Sequence, residues 1–472
     1  MKKPRRPILV WFRHDLRVDD HPALAVAAKR GNPVVPVFLW SPMDEGAWAP
    51  GEISQIWLYR NLAALDEELC RLGARLVVRM GSALEILPRL AREFHAEAVF
   101  WNRRIEPHAR FIEDRLRDAL TRFGVMAQGF QAQTLFEPSL LRAGSGRPFQ
   151  VFTAFWRHCL TLPAPRAPLP APRKLVSLTR RLTRAPLSER FLGAEASTRR
   201  AGDPTADWRP GAGGAAGRLR VFLGKAFNGY PTSRDIPAVD GTSGISPYLH
   251  YGILSPHTLW YAAARHAGRH DERPGIHDAW HAYSRQLGWR EFAHYLLWHF
   301  PGSVQRPLQP AFRGFPWRRD RKFLAAWQRG RTGYPFVDAG MRQLWATGWM
   351  HNRARMAAAS FLVKDGLISW RQGARWFWNT LLDADLANNT LGWQWTAGCG
   401  ADAAPFFRIF NPVLQGLRYD PQGKYVRRWL PELGRLPDRW IHRPWQAPAA
   451  MLAEARVRLG RNYPLPCLNH GE

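Results

Sequence analysis

Residues 383–412 read DADLANNTLGWQWTAGCGADAAPFFRIFNP, and the organisation of the 472-residue chain can be worked outward from them. Asp383 and Asp385 stand two apart, Asn388 and Asn389 follow, and then come Trp393-Gln394-Trp395 and the run Phe406-Phe407-Arg408. No hydrophobic period in the stretch is long enough to make it plain core. Residue types alone leave an irregular, Trp-rich core loop as the bland reading; the density of carboxylates, amides and indoles points instead to a site.

Long helical periods surround it, at Asp278 to His299, Ala339 to Asp365 and Trp370 to Leu382, and strand alternation is missing from about Ala216 onward. The second part of the chain therefore reads as all-α. Towards the N-terminus, Ile8 to Phe12, Val34 to Leu39, Leu76 to Val78 and Ala98 to Trp101 are strand-like. Leu58, Leu62, Leu65, Leu69 and Leu72 keep helical spacing between two of them. That alternation predicts an α/β domain with a parallel, Rossmann-like sheet. Pro163, Pro165, Pro168, Pro170 and Pro172 form an extended connector. The expected division is an α/β domain over 1–135, a connector over 136–215, Pro-rich in part, and an all-α domain over 216–472.

The first strand runs into FRHDLRVDD without a glycine, so it lacks the backbone access of a dinucleotide turn. The GxGxxA match at Gly211, Gly213 and Ala216 follows Trp208-Arg209-Pro210 rather than a strand. Cys70, Cys159, Cys399 and Cys467 have no paired spacing, which argues against a disulfide framework, a cluster or any metal site; they read as buried small hydrophobes. No apolar run approaches a membrane span, and MKKPRR leads straight into PILVWF, so the expected setting is the cytoplasm, away from membranes. Basic residues exceed acidic ones by 29, and 23 Trp are present. The first favours a polyanion such as nucleic acid, although an arginine-rich composition inflates it; the second suggests stacking surfaces or electron carriers.

Five motifs, in order, decide among these possibilities. WFRHDLRVDDHPAL at 11–24, RDIPAVDGTSGISPYLHYGILSP at 234–256, QLGWREFAHYLLWHFP at 286–301, TGYPFVDAGMRQLWATGWMHNRARM at 332–356 and the opening stretch resemble the photolyase/cryptochrome family over roughly residues 7–445. The likeness is greatest to its bacterial cyclobutane pyrimidine dimer repair branch. It implies a Rossmann-like antenna domain followed by an all-α FAD-binding domain, and a monomer that acts on UV-damaged DNA. A second antenna pigment, a methenyltetrahydrofolate or a deazaflavin, is also a family feature.

The resemblance also implies roles. Thr242, Ser243, Gly244, Ile245 and Ser246 would form the flavin-phosphate turn, a segment that read alone is an ordinary capping turn, with Tyr230 packing on the cofactor and Arg290 among its contacts. Asn352, Arg355 and Met356 share one helix face by their spacing. The likeness puts Arg355 with Asp383 over the flavin, Asp385 nearby and Asn389 at the flavin N5 edge; as a neutral amide, Asn389 offers no readily transferable proton. A fixed cation there favours an anionic reduced flavin. Trp393, Trp370 and Trp317 match the electron-transfer chain. Trp289 and Trp395 match the aromatic pair around a flipped dimer, with Asn352, Met356 and Gln286 lining the same pocket. Arg234, Arg353 and Arg408 match phosphate contacts.

Two departures stand out. Gln286 occupies a place usually held by a glutamate in cyclobutane-dimer photolyases. The (6-4) branch often has glutamine there, but it also has a second histidine where this chain has Asn352. In WNRRIEPHAR at 101–110, His108 and Ala109 replace the Asn-Glu pair of folate-binding relatives, which leaves the antenna open. The implied activity is light-driven repair of cyclobutane dimers, with a blue-light photoreceptor or a (6-4) photolyase as the alternative.

Overall fold

Unbroken Val, Ile, Leu and aromatic runs mark strands covered on both faces, and β1 (Ile8–Phe12), β2 (Val34–Trp40) and β4 (Ala98–Asn102) are buried at every position. The computed structural model describes residues 5–178, 202–402 and 409–469. With β3 (Val77–Met80) and β5 (Met126–Phe130) these strands form a five-stranded sheet in the order β3-β2-β1-β4-β5, parallel throughout. The crossovers carry α1 (Pro22–Lys29), α2 (Glu52–Arg71), α3 (Ala83–Glu93) and α4 (Pro107–Arg122). The sequence reading missed β5, an edge strand whose half-exposed residues make no apolar run. It also placed β3 one residue early.

The strand order reverses between β1 and β4, where doubly wound sheets hold ligands beyond their strand ends. Here that crevice is filled by the charged segment after β1. Arg13 pairs with Glu113 at 2.6 Å and Asp15 with His21 at 3.0 Å. Arg17, buried, donates to the Gly252 carbonyl at 2.7 Å, and the Leu16 amide donates to that of Tyr251 at 3.0 Å. The end of the sheet is thus an attachment point for the helical half.

The proline-rich connector is extended as expected and returns along the sheet, where the Val34 amide donates to the Val176 carbonyl at 2.9 Å. Before it, α5 (Phe152–Thr161) packs its aromatics on the helical half. The helical half continues with α6 (Gly211–Val221), α7 (Tyr230–Ser233), α8 (Ser246–His250), α9 (Pro256–Arg269), α10 (Ile276–His299), α11 (Arg321–Gln328), α12 (Pro335–Thr347), α13 (Asn352–Ser360), α14 (Trp370–Thr380) and α15 (Leu386–Ala397). The period expected over Ala339 to Asp365 is broken between α12 and α13. Gly348 ends α12 at φ +65°, where an added Cβ would meet Ile53 and Leu382 at 2.9 Å, and His351 then caps α13.

Cys159 and Cys399 are buried, as expected, but Cys70, in the last turn of α2, and Cys467, in the irregular segment after the last helix, are exposed. Among the described residues no helix is long and apolar enough to cross a membrane.

Candidate active site

The stretch at 383–412 contains a helix that its sequence did not announce. Asp385 caps α15, its Oδ1 accepting from the Asn388 amide at 2.8 Å and from the Asn388 side chain at 2.7 Å. Its Oδ2 lies 3.3 Å from Nε2 of His294 on α10. Burial alone would raise the Asp385 pKa, but the His294 ring and Arg290 override it and hold the carboxyl far below its usual range.

Asp383 lies just before this cap. Its Oδ2 accepts from Ser246 Oγ at 2.6 Å and from Arg355 Nη2 at 2.9 Å, which joins α8, α13 and the start of α15. Its Oδ1 is buried without a partner among the described residues. The turn before α8 holds Gly244 at φ +59°, and Arg218 fixes it by donating to the carbonyls of Thr242 at 2.9 Å and Ser243 at 2.8 Å. Ile245 and Tyr230 are buried beneath. Arg218 lies outside the five motifs and His294, though inside the one at 286–301, carried no assigned role, since each acts through a residue that itself carries the signal.

Around this floor runs a more open rim. Asn352 donates to the Met356 sulfur at 3.6 Å, one turn along α13, as their spacing requires. Arg234 Nη2 donates to Gln286 Oε1 at 3.1 Å. Arg353, expected as a phosphate contact, is held by Asp235 through two bonds of 3.0 and 2.6 Å and lies over the Tyr419 ring. Its charge is already partnered, because the chain puts Asp235 across from it. Trp289 stacks on Phe152 at 3.8 Å and 8°, which covers one indole face. Trp395, half-buried on the neighbouring helix, lies 6.2 Å from Phe410. Arg290, expected among the cofactor contacts, donates to the Gln133 carbonyl at 2.9 Å at the seam between the halves. Arg408 lies outside the described residues.

Behind the floor, Asn389 Nδ2 donates to the Ala374 carbonyl at 3.0 Å, which leaves its oxygen as the free end of the amide. Trp393 is 2% exposed and packs over Gly373, where an added Cβ would meet Trp393 Cη2 at 2.0 Å. Trp370, at the start of the same helix α14, is buried, and Trp317 is half-buried. The Arg318 amide donates to the Leu367 carbonyl at 2.8 Å and so places Trp317 beside the turn leading into α14. The sequence reading missed Trp327, fully buried and 6.2 Å from Trp393, because no motif distinguishes it from a core tryptophan. Burial holds His250 and His351 neutral, each pushed down to about 4.

In the α/β half, a cavity of about 50 Å³ opens among Trp11, Arg13, Trp40, Arg104 and Tyr251. It is well short of the roughly 300 Å³ of small-molecule sites, so an antenna pigment held there would require its lining to part.

Residues 8–173 match the family model DNA photolyase, and residues 283–472 match the model FAD binding domain of DNA photolyase. The chain is 43% identical to a deoxyribodipyrimidine photo-lyase of Agrobacterium fabrum, over 99% of this chain and 95% of that one. It is also 40% identical to cryptochrome-1 of Arabidopsis thaliana, over 98% of this chain and 68% of that one. Among solved structures, a bacterial class III photolyase from Agrobacterium tumefaciens superposes with a TM-score of 0.93 at 42% identity, covering 100% and 96% of the two chains. A Synechocystis cryptochrome gives 0.90 at 32%, covering 100% and 98%. The residues present fit FAD: the unpartnered Asp383 oxygen, the fixed Arg355 cation and a hydroxyl-bearing turn at a helix start are groups that a dinucleotide satisfies.

Proposed function

Because this chain belongs to the DNA photolyase and cryptochrome family, we propose that it is a light-driven deoxyribodipyrimidine photo-lyase that repairs cyclobutane pyrimidine dimers in DNA, working as a cytoplasmic monomer. Reduced FAD, when bound, would supply the light-absorbing electron donor for opening the cyclobutane ring.

The protein's own residues bind, orient and restore. The turn at Thr242, Ser243, Gly244, Ile245 and Ser246 takes the cofactor's phosphates, above Tyr230. Arg355 and Asp383 fix a charge pattern at the floor, Asp385 anchors α15, and Asn389 directs a carbonyl oxygen and no acid at the cofactor. Trp289 and Trp395 flank a flipped dimer, whose extrusion is eased because the lesion already disturbs stacking. Asn352, Met356 and Gln286 line that pocket, and Arg234 and Arg408 meet phosphates at its edge. Trp393, Trp370 and Trp317 carry electrons inward from the surface.

The observations that support this reading are the half-buried Trp289, stacked by one indole face on Phe152, and the Asp383 oxygen that has no partner among the described residues. Illumination of the reduced protein with dimer-containing DNA tests it, with restoration of intact thymines as the expected result. A second reading, a blue-light photoreceptor, is favoured by the identity to cryptochrome-1. A protein that holds FAD and responds to light yet leaves every dimer intact would decide for it.

A further inference from the structure

Trp317 is the member of the indole line that reaches water, and the chain around it is strongly basic. It leans on Phe315 with ring centres 4.4 Å apart. Arg313, Arg318, Arg319, Arg321 and Lys322 are all exposed, and the last four line one open hollow together with Asp320. Asp320 is the one acid between positions 313 and 322, and its Oδ1 caps α11 by accepting from the Phe323 amide at 2.9 Å. None of the five cations makes an ion pair among the described residues, whereas Arg353 and Arg355 both do. Uncompensated positive charge beside a single oxidisable ring gathers anions at that ring.

We propose that the cluster at Arg313, Arg318, Arg319, Arg321 and Lys322 is a docking surface for small, multiply charged anionic one-electron reductants, which it delivers to Trp317. The inference rests on the reading of Trp317 as the outer member of the electron relay. In the step itself the donor passes one electron to the oxidised Trp317 indole. The donor becomes one unit less negative, the ring returns to its neutral state, and no bond forms or breaks. Charges this close together lie within roughly one Debye length, about 10 Å at 0.1 M salt, so their fields add. Steering of this kind raises encounter rates by roughly 10- to 1000-fold at low salt. Duplex DNA is a poorer match for the hollow, because the stacking faces that suit bases lie on Trp289 and Trp395, on other helices.

The test compares wild type with the triple variant Arg318→Gln, Arg319→Gln, Arg321→Gln. Light-driven reduction of the FAD-bound protein is followed with ferrocyanide, a tetra-anion, and with uncharged dithiothreitol. At about 10 mM salt the triple variant is expected to lose at least fivefold in rate with ferrocyanide, to match wild type with dithiothreitol, and to converge with wild type near 0.5 M salt. A second readout needs no flavin: iodide quenching of the Trp317 fluorescence, taken as wild type minus Trp317→Phe in apoprotein, should weaken in the triple variant while acrylamide quenching stays constant. Equal ferrocyanide rates and equal iodide quenching at low salt would overturn the proposal, as would weakened duplex binding with an unchanged ferrocyanide rate. If Trp317→Phe leaves photoreduction intact with both donors, the relay reading itself fails, and the iodide result then reports separately on whether the surface gathers anions.

Discussion

Arg353 and Arg355 sit two residues apart on one helix and belong to different regions of the site. A separation of about 200° around the helix turns Arg355 towards Asp383, which is 5% exposed, and Arg353 towards Asp235, which is 29% exposed. On the floor, each polar atom has one arrangement and little water to replace a lost partner. On the rim, the same kind of pair is screened, and a phosphate can exchange with it. Floor substitutions should therefore cost cofactor and fold together, and rim substitutions should alter DNA binding or repair with FAD retained.

The strongest challenge to this contrast is Asp383→Asn. It leaves Arg355 unbalanced and weakens the acceptor for Ser246, so FAD affinity in a fluorescence titration should fall by more than about a hundredfold, with a lower unfolding midpoint. Wild-type FAD affinity in that variant would erase the distinction. Next in size is pH. His250 and His351 are buried against the floor with values near 4, below the 6.5 of an unfolded chain. Their folded pKa values are depressed, so their contribution is complete above pH 6.5 and disappears as pH falls towards 4. The gap corresponds to about 3 kcal/mol per ring. Urea unfolding of apoprotein should show the loss between those limits, and a flat profile there would mean that the rings are not held neutral.

The rim should respond less. Trp289→Ala removes one stacking wall and should cost roughly 1–3 kcal/mol in binding dimer-containing DNA, with FAD content unchanged; parallel loss of FAD would merge the two regions. Asp235→Asn frees Arg353, and duplex binding should tighten by less than about 1 kcal/mol at low salt. Weaker binding would show that Asp235 orients Arg353 rather than competing for it. Smallest is Gln286→Glu. Arg234 is already within 3.1 Å of this side chain and can receive the new charge, so stability should change by less than about 1 kcal/mol. Single-turnover repair should rise at a pH low enough to keep the new carboxyl protonated, where it can donate to the reacting dimer, and gain nothing once the group is ionised against Arg234. A clear fall would mark Gln286 as an adapted ligand.

How much of this could be read in the sequence depended on where each signal lay. β1, β2 and β4 were visible because full burial leaves continuous apolar runs, while β5, half-exposed at the edge, left none. The Arg355–Asp383 pair was legible because both residues lie in long motifs. The Arg353–Asp235 pair was not, although both residues lie in quoted motifs, since no motif role joins them and their contact spans 118 positions through the turn that follows α7. The helix in 386–397 was hidden because it is packed on several faces, Asn389 and Trp393 towards α14 and the amide of Gln394 towards the loop after α10, so no single apolar stripe appears.

Gly373 has no side chain to place and no unusual φ to justify it, yet Trp393 rests where its Cβ would be. On the relay reading, electrons cross between rings by tunnelling, whose rate decays exponentially with edge-to-edge separation. One methyl group at Gly373 would push Trp393 away from its seat and stretch the gaps on either side of it. A residue that donates and accepts nothing through a side chain would then act as the spacer that sets the speed of the conduit.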